Sequence, residues 1–387
     1  QHLTAVYFVN GNTGWVVGDN GIILKTTNGG RSWFQQDSQA GNKLGAVQFI
    51  NANTGWVAGY AATMRKTTNG GENWLPQSIG PAWLPWSFNF VDENYGWIVC
   101  EFGIILHTTN GGADWLPQES GTSIDLHSVH FADNRTGWAV GESGIIIATS
   151  NGGSNWTMQT SGTGSILSSV QFADNNTGWI AGYDATILKT TNCGTNWTAY
   201  ASGTGCALRS VHFVKNSIGW VAGFWGAVAR TTDGGTNWTP QASNTSELLW
   251  SIHFSDYKTG WAVGTYGSII KTTTGGVWYP PTCMITGPDT VYPGPDVLFV
   301  SDMSTGTWSL NNEGGTNALI VSDPGNDSVY VNPGSGNGQF LLAYSSSDSD
   351  YCSMAVTVIA PVNLDYSCMY QSSYLFADTR FGYSVNS

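Results

Sequence analysis

Charge is scarce in this chain. Asp, Glu, Lys and Arg make up 10% of its 387 residues, and 13 Lys+Arg stand against 26 Asp+Glu for a formal net charge of −13. Holding a nucleic-acid backbone takes a basic stripe that displaces counterions, so nucleic acid is excluded as a partner. Apolar runs are short, and none approaches the roughly 20 residues that cross a bilayer as a helix. The three-to-four-residue apolar spacing of a helix is missing as well. Cysteine is limited to 6 residues, whereas Gly (50) and Trp (19) are plentiful. Ser, Thr and Asn fill the places where Lys and Glu usually lie, which suits a secreted, extracellular or cell-surface protein, with the periplasm as the alternative. No signal peptide is visible, and Gln1 directly precedes the first apolar alternation, as in a processed chain.

The tryptophans are periodic. Trp15, Trp56, Trp97, Trp138, Trp179, Trp220 and Trp261 lie 41 residues apart. Trp33, Trp74, Trp115, Trp156, Trp197 and Trp238 keep the same interval, and Trp278 comes one residue early. Such a period marks an array of units that bury their apolar faces on one another. Residues 126–159 show the unit: LHSVHF alternates as a strand, GWAVG is a second, IIIAT a buried third, and Trp156 opens a fourth. Turn residues separate them, with Asn151-Gly152-Gly153 placing glycine where φ is positive. Four short antiparallel strands per unit predict propeller blades. The expected class is all-β, a seven-bladed β-propeller over residues 1–280.

The recurring TTNGGxxW (Thr26–Trp33, with copies from Thr67, Thr108 and Thr190) resembles the Asp-box of bacterial-neuraminidase-type repeats. The TGWxxGxxGxIxKTT before it is similar to the propellers of the photosystem II stability and assembly factor family. The resemblance covers about residues 1–280 and implies the propeller fold. In those relatives a basic patch binds a protein partner. The acidic box position holds Asn28, Asn69, Asn110, Asn151 and Asn192, with Asp only at Asp233 and Thr274 in the last copy. An amide still accepts a backbone N–H there, so the turn is expected to survive, and the box by itself implies no activity.

After Tyr279-Pro280-Pro281 the repeat stops. Residues 281–361 read as six short strands, VLFVS, TWSL, ALIVS, SVYVN, FLLAYS and AVTVIA, at the spacing of a small β-sandwich. ITGPDTVYPG followed by a strand Trp resembles PKD-type immunoglobulin-like modules. In the tail, residues 362–387, SSYLFADTRFGY matches SSVQFADNNTGW of the propeller without gaps and is expected to form strands. Docked on an open sheet edge of a neighbouring copy, it would generate a head-to-tail polymer. Two disulfides are expected, Cys193 with Cys206 and Cys283 with Cys352, with Cys100 and Cys368 left open. Seven N-x-S/T sequons, at Asn134, Asn155, Asn175, Asn196, Asn237, Asn244 and Asn326, are candidate glycosylation sites.

Candidate functional residues cluster on the face formed by second-to-third turns and interblade loops. Tyr60, Trp83, Trp86, Phe102, Tyr183, Phe224, Trp225, Trp250 and Tyr266 fall there, suited to stack on sugars or anchor a protein. Glu101 and Glu142 in adjacent blades form the one pairing with the look of a glycosidase acid and base. Sialidase chemistry needs three converging arginines, and the 6 arginines are scattered over box turn, strands, loops and tail. Tyr7, Gln48, Asn89, His130, Gln171, His212 and His253 are expected to line a water-filled channel. Lys25, Lys66, His107, Lys189, Arg230 and Lys271 read as solvated strand ends. No cofactor, metal or catalytic residue is expected. The leading reading is a non-catalytic extracellular structural or adhesion protein that self-associates or meets another surface protein or glycan. The alternatives are a carbohydrate-binding or carbohydrate-active propeller and a periplasmic assembly factor.

Overall fold

The computed structural model describes residues 1–80 and 83–276, Ala318, and the strands between 285 and 358. Seven consecutive sheets account for the first part. Their opening strands are Leu3–Phe8, Leu44–Phe49, Pro85–Phe90, Leu126–Phe131, Leu167–Phe172, Leu208–Lys215 and Leu249–Phe254. Six sheets hold four antiparallel strands in sequence order, and the seventh has three described strands, ending with Ile269–Thr272. The chain is thus a seven-bladed propeller, as the 41-residue period requires. Second strands such as Gly137–Gly141 are buried along their whole length, and in Ile218–Gly223 all but Ile218 is buried.

One interaction repeats at every seam between blades. The second-strand Trp of a blade stacks face to face on the Phe that ends the first strand of the next. Trp15–Phe49, Trp97–Phe131 and Trp138–Phe172 have ring centroids 3.5, 3.5 and 3.4 Å apart. The last of the seven, Trp261 on Phe8 at 3.4 Å, closes the ring. From the other side the box Trp of the Phe's own blade meets it edge-on, as Trp156 does Phe131 at 5.8 Å. The glycine before each stacking Trp is dictated by this packing. A Cβ on Gly137 would lie 2.5 Å from the Phe131 ring, and the other six glycines meet the same obstacle.

The indole N–H fixes the stack's orientation. Trp56, Trp97, Trp179 and Trp220 donate Nε1–H to the box-turn carbonyls of Gly111, Gly152, Gly234 and Gly275 in the following blade, at 2.8–3.2 Å. Trp138 uses Cys193 O, and Trp261 uses Gly29 O across the closing seam. Trp15 is the exception, its Nε1 being without a partner. There Lys25 Nζ and Gln36 Nε2 donate to Gly70 O instead. This corrects the reading of the basic ring as solvated strand ends. Lys25 and Lys66 donate to the next blade's box carbonyl, and Lys25, Lys66, Arg230 and Lys271 lie over the stacking indoles at 5.1–5.5 Å. The box turn needs no acid: Asn28 Oδ1 accepts the Ser32 N–H at 2.9 Å while Thr26 Oγ1 accepts that of Gly30.

The channel-lining position is likewise a set of clasps between blades. Gln48 both accepts the N–H and donates to the carbonyl of Phe90, and Gln171 does the same with Phe213. Asn89 accepts the Phe131 N–H, and His212 Nε2 meets Phe254 O at 3.1 Å. His253 packs its ring against His212 and Tyr7, and its Nδ1, like that of His130, has no partner. Burial holds His130 and His212 down to about 4, and burial with the neighbouring His212 holds His253 well below the usual histidine value.

The chain divides between Val277 and Trp278. The second unit has two four-stranded sheets. One takes the order Ile285–Thr286, Val297–Ser301, Ser328–Asn332, Leu319–Gly325; the other Thr290–Val291, Tyr351–Val358, Gly338–Ser345, Thr307–Glu313. Described strands overlap each of the six expected segments, ALIVS from Leu319 and AVTVIA as far as Val358. Thr290–Val291 runs parallel to Tyr351–Val358. Residues 359–387, Cys283, Cys368 and Asn326 lie outside the described residues.

The Cys193–Cys206 disulfide is not formed, and both are free thiols. They flank Thr198–Ala201, so they sit at opposite ends of one strand. Cys193 Sγ instead meets Asn176 Oδ1. Cys100 is a buried thiol pushed up to about 12 by burial and then by Glu101. The described sequon asparagines, Asn134, Asn155, Asn175, Asn196, Asn237 and Asn244, are exposed. Two are already engaged through Nδ2, Asn175 to Asp133 and Asn237 to Asp233, so part of the sequon count follows from turn chemistry.

Two outcomes are expected from these seams. In urea unfolding, Trp138→Ala should cost about 3–5 kcal/mol, and Gly137→Ala about 1–3 kcal/mol by forcing Phe131 off its indole. A loss below about 1 kcal/mol for Trp138→Ala would show that the stacks do not carry the ring. The channel histidines set a pH window. Their folded pKa values lie below the unfolded value of about 6.5, so the unfolded chain binds more protons below that pH. Stability should fall between about pH 6.5 and 4, and His130→Gln with His253→Gln should flatten that slope.

Candidate functional site

Antiparallel order places second-to-third turns and interblade loops at the same end of every blade. Backbone bonds hold the two together: Tyr60 N donates to Lys43 O, Glu142 N to Asp125 O, Tyr183 N to Ile166 O and Thr265 N to Leu248 O. The second residue of each opening strand faces the channel at that end. Around the ring it is Thr4, Gly45, Trp86, His127, Ser168, Arg209 and Trp250. Every other inward position of the unit repeats a residue type or serves a seam, as Ser128, Ser169, Ser210 and Ser251 do by accepting N–H groups from the next blade. The identities diverge here, as they also do at the channel position held by Tyr7, Gln48, Asn89, His130, Gln171, His212 and His253.

At this end Arg209 meets Trp250, and Trp86 meets His127. The Arg209 guanidinium lies 4.4 Å from the Trp250 ring centroid and 5.8 Å from that of Tyr183, and Nη1 donates to Tyr183 Oη at 3.2 Å. Lys43 Nζ sits 5.0 Å from the same Trp250 ring and 5.8 Å from Tyr60. Tyr183 meets Phe224 edge-on at 5.6 Å. On the other side Trp86 packs against His127, whose Nε2 is 3.8 Å from Glu142 Oε1. Burial lowers the pKa of Arg209, with Tyr183 and Tyr60 acting the other way. Burial and then the charge of Arg209 hold His127 below its ordinary value, with Asp125 opposing them. The two halves of the mouth therefore feel one another's charge.

The aromatic face expected from the sequence divides into three. Tyr60, Trp86, Tyr183, Phe224 and Trp250 belong to the mouth. Trp83 and Phe102 line a separate open groove with Pro117, Gln118 and Ser120, on the outer side of blade three. Trp225 and Tyr266 stand on turn tips, 76% and 78% exposed, in left-handed backbone at φ 56° and 55°. The same left-handed conformation recurs at Asn20, Phe102 and Ser143, so it belongs to the repeated turn. Tyr266 contacts His2. Lys43, His127 and Arg209 were missed from sequence because they precede or follow a strand's first residue and look like ordinary repeat variation. The signal for the last two was divergence at one ring position amid near-identity elsewhere.

Of the carboxylate pair proposed for glycoside chemistry, Glu142 faces His127, and Glu101 N donates to Leu84 O at the adjoining turn. Asp125, His127 and Glu142 offer donor atoms within 4.8 Å of one another. Asp125 Oδ1 already accepts the Phe102 N–H at 2.7 Å, and the nearby Arg209 charge disfavours a cation there. Among the described residues no helix is long and apolar enough to cross a membrane.

Among curated proteins none matches this chain by sequence. Solved structures do match in fold. YCF48 bound to D1 peptide superposes with a TM-score of 0.60 at 20% identity, covering 70% of this chain and 92% of that one. YCF48 from Cyanidioschyzon merolae gives 0.59 at 23%, covering 70% and 95%. A GH74 enzyme of Niastella koreensis gives 0.60 at 13%, covering 93% and 68%. At these identities the likeness shows the fold alone. The sequence profile of the photosynthesis system II assembly factor YCF48 matches repeatedly, over residues 1–79, 35–119, 76–162, 117–204 and 159–243. With well over half its length matched in register, the chain belongs to the YCF48 assembly-factor family.

Proposed function

We propose that the propeller is a non-catalytic holder that binds a segment of a partner protein across its channel mouth, an assembly-factor role outside the cytoplasm. The observation that carries this reading is the ring position where repetition stops, which gathers Trp86, Trp250, Arg209 and His127 beside Tyr60, Tyr183 and Lys43. Aromatic and arginine side chains are the usual anchors of protein interfaces. A YCF48 relative whose solved structure holds a D1 peptide supports the same use of the fold. Self-association through the tail had rested on residues 362–387, which lie outside the described part, and no observation at the mouth favours it.

Catalysis is the weaker reading. Glu142 Oε1 lies 3.8 Å from His127 Nε2, and the resemblance to the GH74 enzyme is one of architecture. The test is retention of synthetic octapeptides on the immobilised chain. Trp86→Ala with Trp250→Ala should cut retention at least tenfold while the unfolding transition stays in place, and Glu101→Gln with Glu142→Gln should change neither. Release of reducing ends from a polysaccharide, abolished by that carboxylate pair of changes, would make the protein a glycoside hydrolase instead.

A further inference from the structure

The pair Asn-Gly occurs seven times, beginning at Asn10, Asn20, Asn28, Asn69, Asn110, Asn151 and Asn337. Four of these are the box position, where an amide stands in place of the acid. Asn337 lies outside the described residues. Asn-Gly is the dipeptide most prone to lose its side-chain amide, because glycine leaves the following backbone nitrogen unhindered. That nitrogen gives its proton to solvent base and attacks Asn Cγ. The N–Cγ bond forms, the Cγ–Nδ2 bond breaks, and Nδ2 leaves with the bonding electrons, taking up a proton as ammonia. Water then opens the succinimide ring at either carbonyl. One product is aspartate, and the other is isoaspartate, with an extra methylene in the backbone.

The fold treats these equal pairs unequally. In every box the glycine N–H is donated to the preceding loop: Gly29, Gly70 and Gly111 to Asn12 O, Asn53 O and Asn94 O at 2.8 Å, and Gly152 to Arg135 O at 2.7 Å. The carboxamide is held too. Its Oδ1 accepts the N–H four residues on and the hydroxyl two residues back, as Asn69 does from Asn73 and Thr67, and Asn110 from Asp114 and Thr108. At Asn10 only half of this exists, since Oδ1 accepts the Asn12 and Thr13 N–H groups while Gly11 N–H has no acceptor among the described residues. At Asn20 neither the carboxamide nor Gly21 N–H has a partner among the described residues. Exposure does not separate the groups, because Asn28, Asn110 and Asn151 are as exposed as Asn10 and Asn20.

We propose that the four box asparagines are deamidation sites latched shut by the closed ring, and that Asn20 is the site the native protein leaves open. The two products differ in consequence. Aspartate fits the box, since Asp233 Oδ1 takes the same bonds from Asn237 N–H and Thr231 Oγ1. Isoaspartate lengthens the turn whose glycine carbonyls receive the seam donors, Trp261 at Gly29, Lys25 at Gly70, Trp56 at Gly111 and Trp97 at Gly152. A chain kept unfolded therefore loses the ability to close its ring, by chemical change of the unfolded state.

The full chain, held folded or in urea at mildly alkaline pH in heavy-oxygen water, tests this by peptide mass spectrometry, with fragmentation that tells isoaspartate from aspartate. In urea the six pairs should convert at similar rates. In the folded chain Asn20 should convert at least about tenfold faster than Asn28, Asn69, Asn110 and Asn151, with Asn10 between. Thr67→Val should speed Asn69 alone, and Thr67→Ser should leave it slow; should the Val variant unfold, the wild-type ranking and the Ser variant still decide. After dilution from urea, box isoaspartate should be depleted from the monomeric refolded fraction. Box conversion as fast as that of Asn20 in the folded chain, or an Asn20 as slow as the boxes, overturns the latch. Box isoaspartate at equal levels in refolded and unrefolded chains overturns its effect on ring closure.

Discussion

The structure depends on a tryptophan of one blade lying flat on a phenylalanine of the next. A blade of four short strands has two apolar faces and cannot persist alone. The Trp–Phe stack gives each face a fixed partner, and the indole N–H given to the next blade's box carbonyl fixes rotation as well as distance. Glycine before the Trp makes room for the Phe, and glycines in the box turn supply positive φ close to the carbonyl. The recurring TGW and TTNGG segments are therefore two halves of one joint. Closing the ring takes the same joint: Trp261 meets Phe8 and Gly29, and blade one is complete from residues 3–36.

This explains what was legible from the chain. Blade number, strand order and the burial of the first tryptophan series follow from a period that the joint enforces. The survival of the box with Asn in place of Asp was also legible, because an amide oxygen accepts the same N–H. The basic residues before the box were misjudged as solvated, since nothing local reveals that Lys66 reaches a carbonyl 45 residues on, in another blade. The Cys193–Cys206 pairing failed for a reason the strand pattern already held, namely that the two cysteines bracket one strand. Channel polarity was foreseen, but not that Gln48 and Gln171 clasp the backbone of the neighbouring blade.

The functional residues obey the opposite rule. The positions that form the Trp–Phe joint are repeated, so a site has to be built from positions outside it. The mouth ring is such a place, and Trp86, His127, Ser168 and Trp250 leave buried polar atoms unmatched there, as Trp15, Trp74 and Trp115 do elsewhere. The aromatic face was visible in the sequence as a list of exposed rings. Its division into a central mouth, an outer groove and isolated tips required the geometry, because adjacency across the channel joins blades two, five, six and seven.

The central claim is that the mouth, and not the groove or the box face, receives the ligand. The direct measurement is the indole N–H region of a proton–nitrogen NMR spectrum of the intact chain, with its 19 tryptophans, during titration with a retained peptide. The account predicts downfield movement of the Trp86 and Trp250 signals as their unmatched N–H groups gain an acceptor, with Trp138 and Trp179 unmoved in their seams. Shifts confined to Trp83 or to the box-turn tryptophans, with Trp86 and Trp250 unchanged, would contradict it.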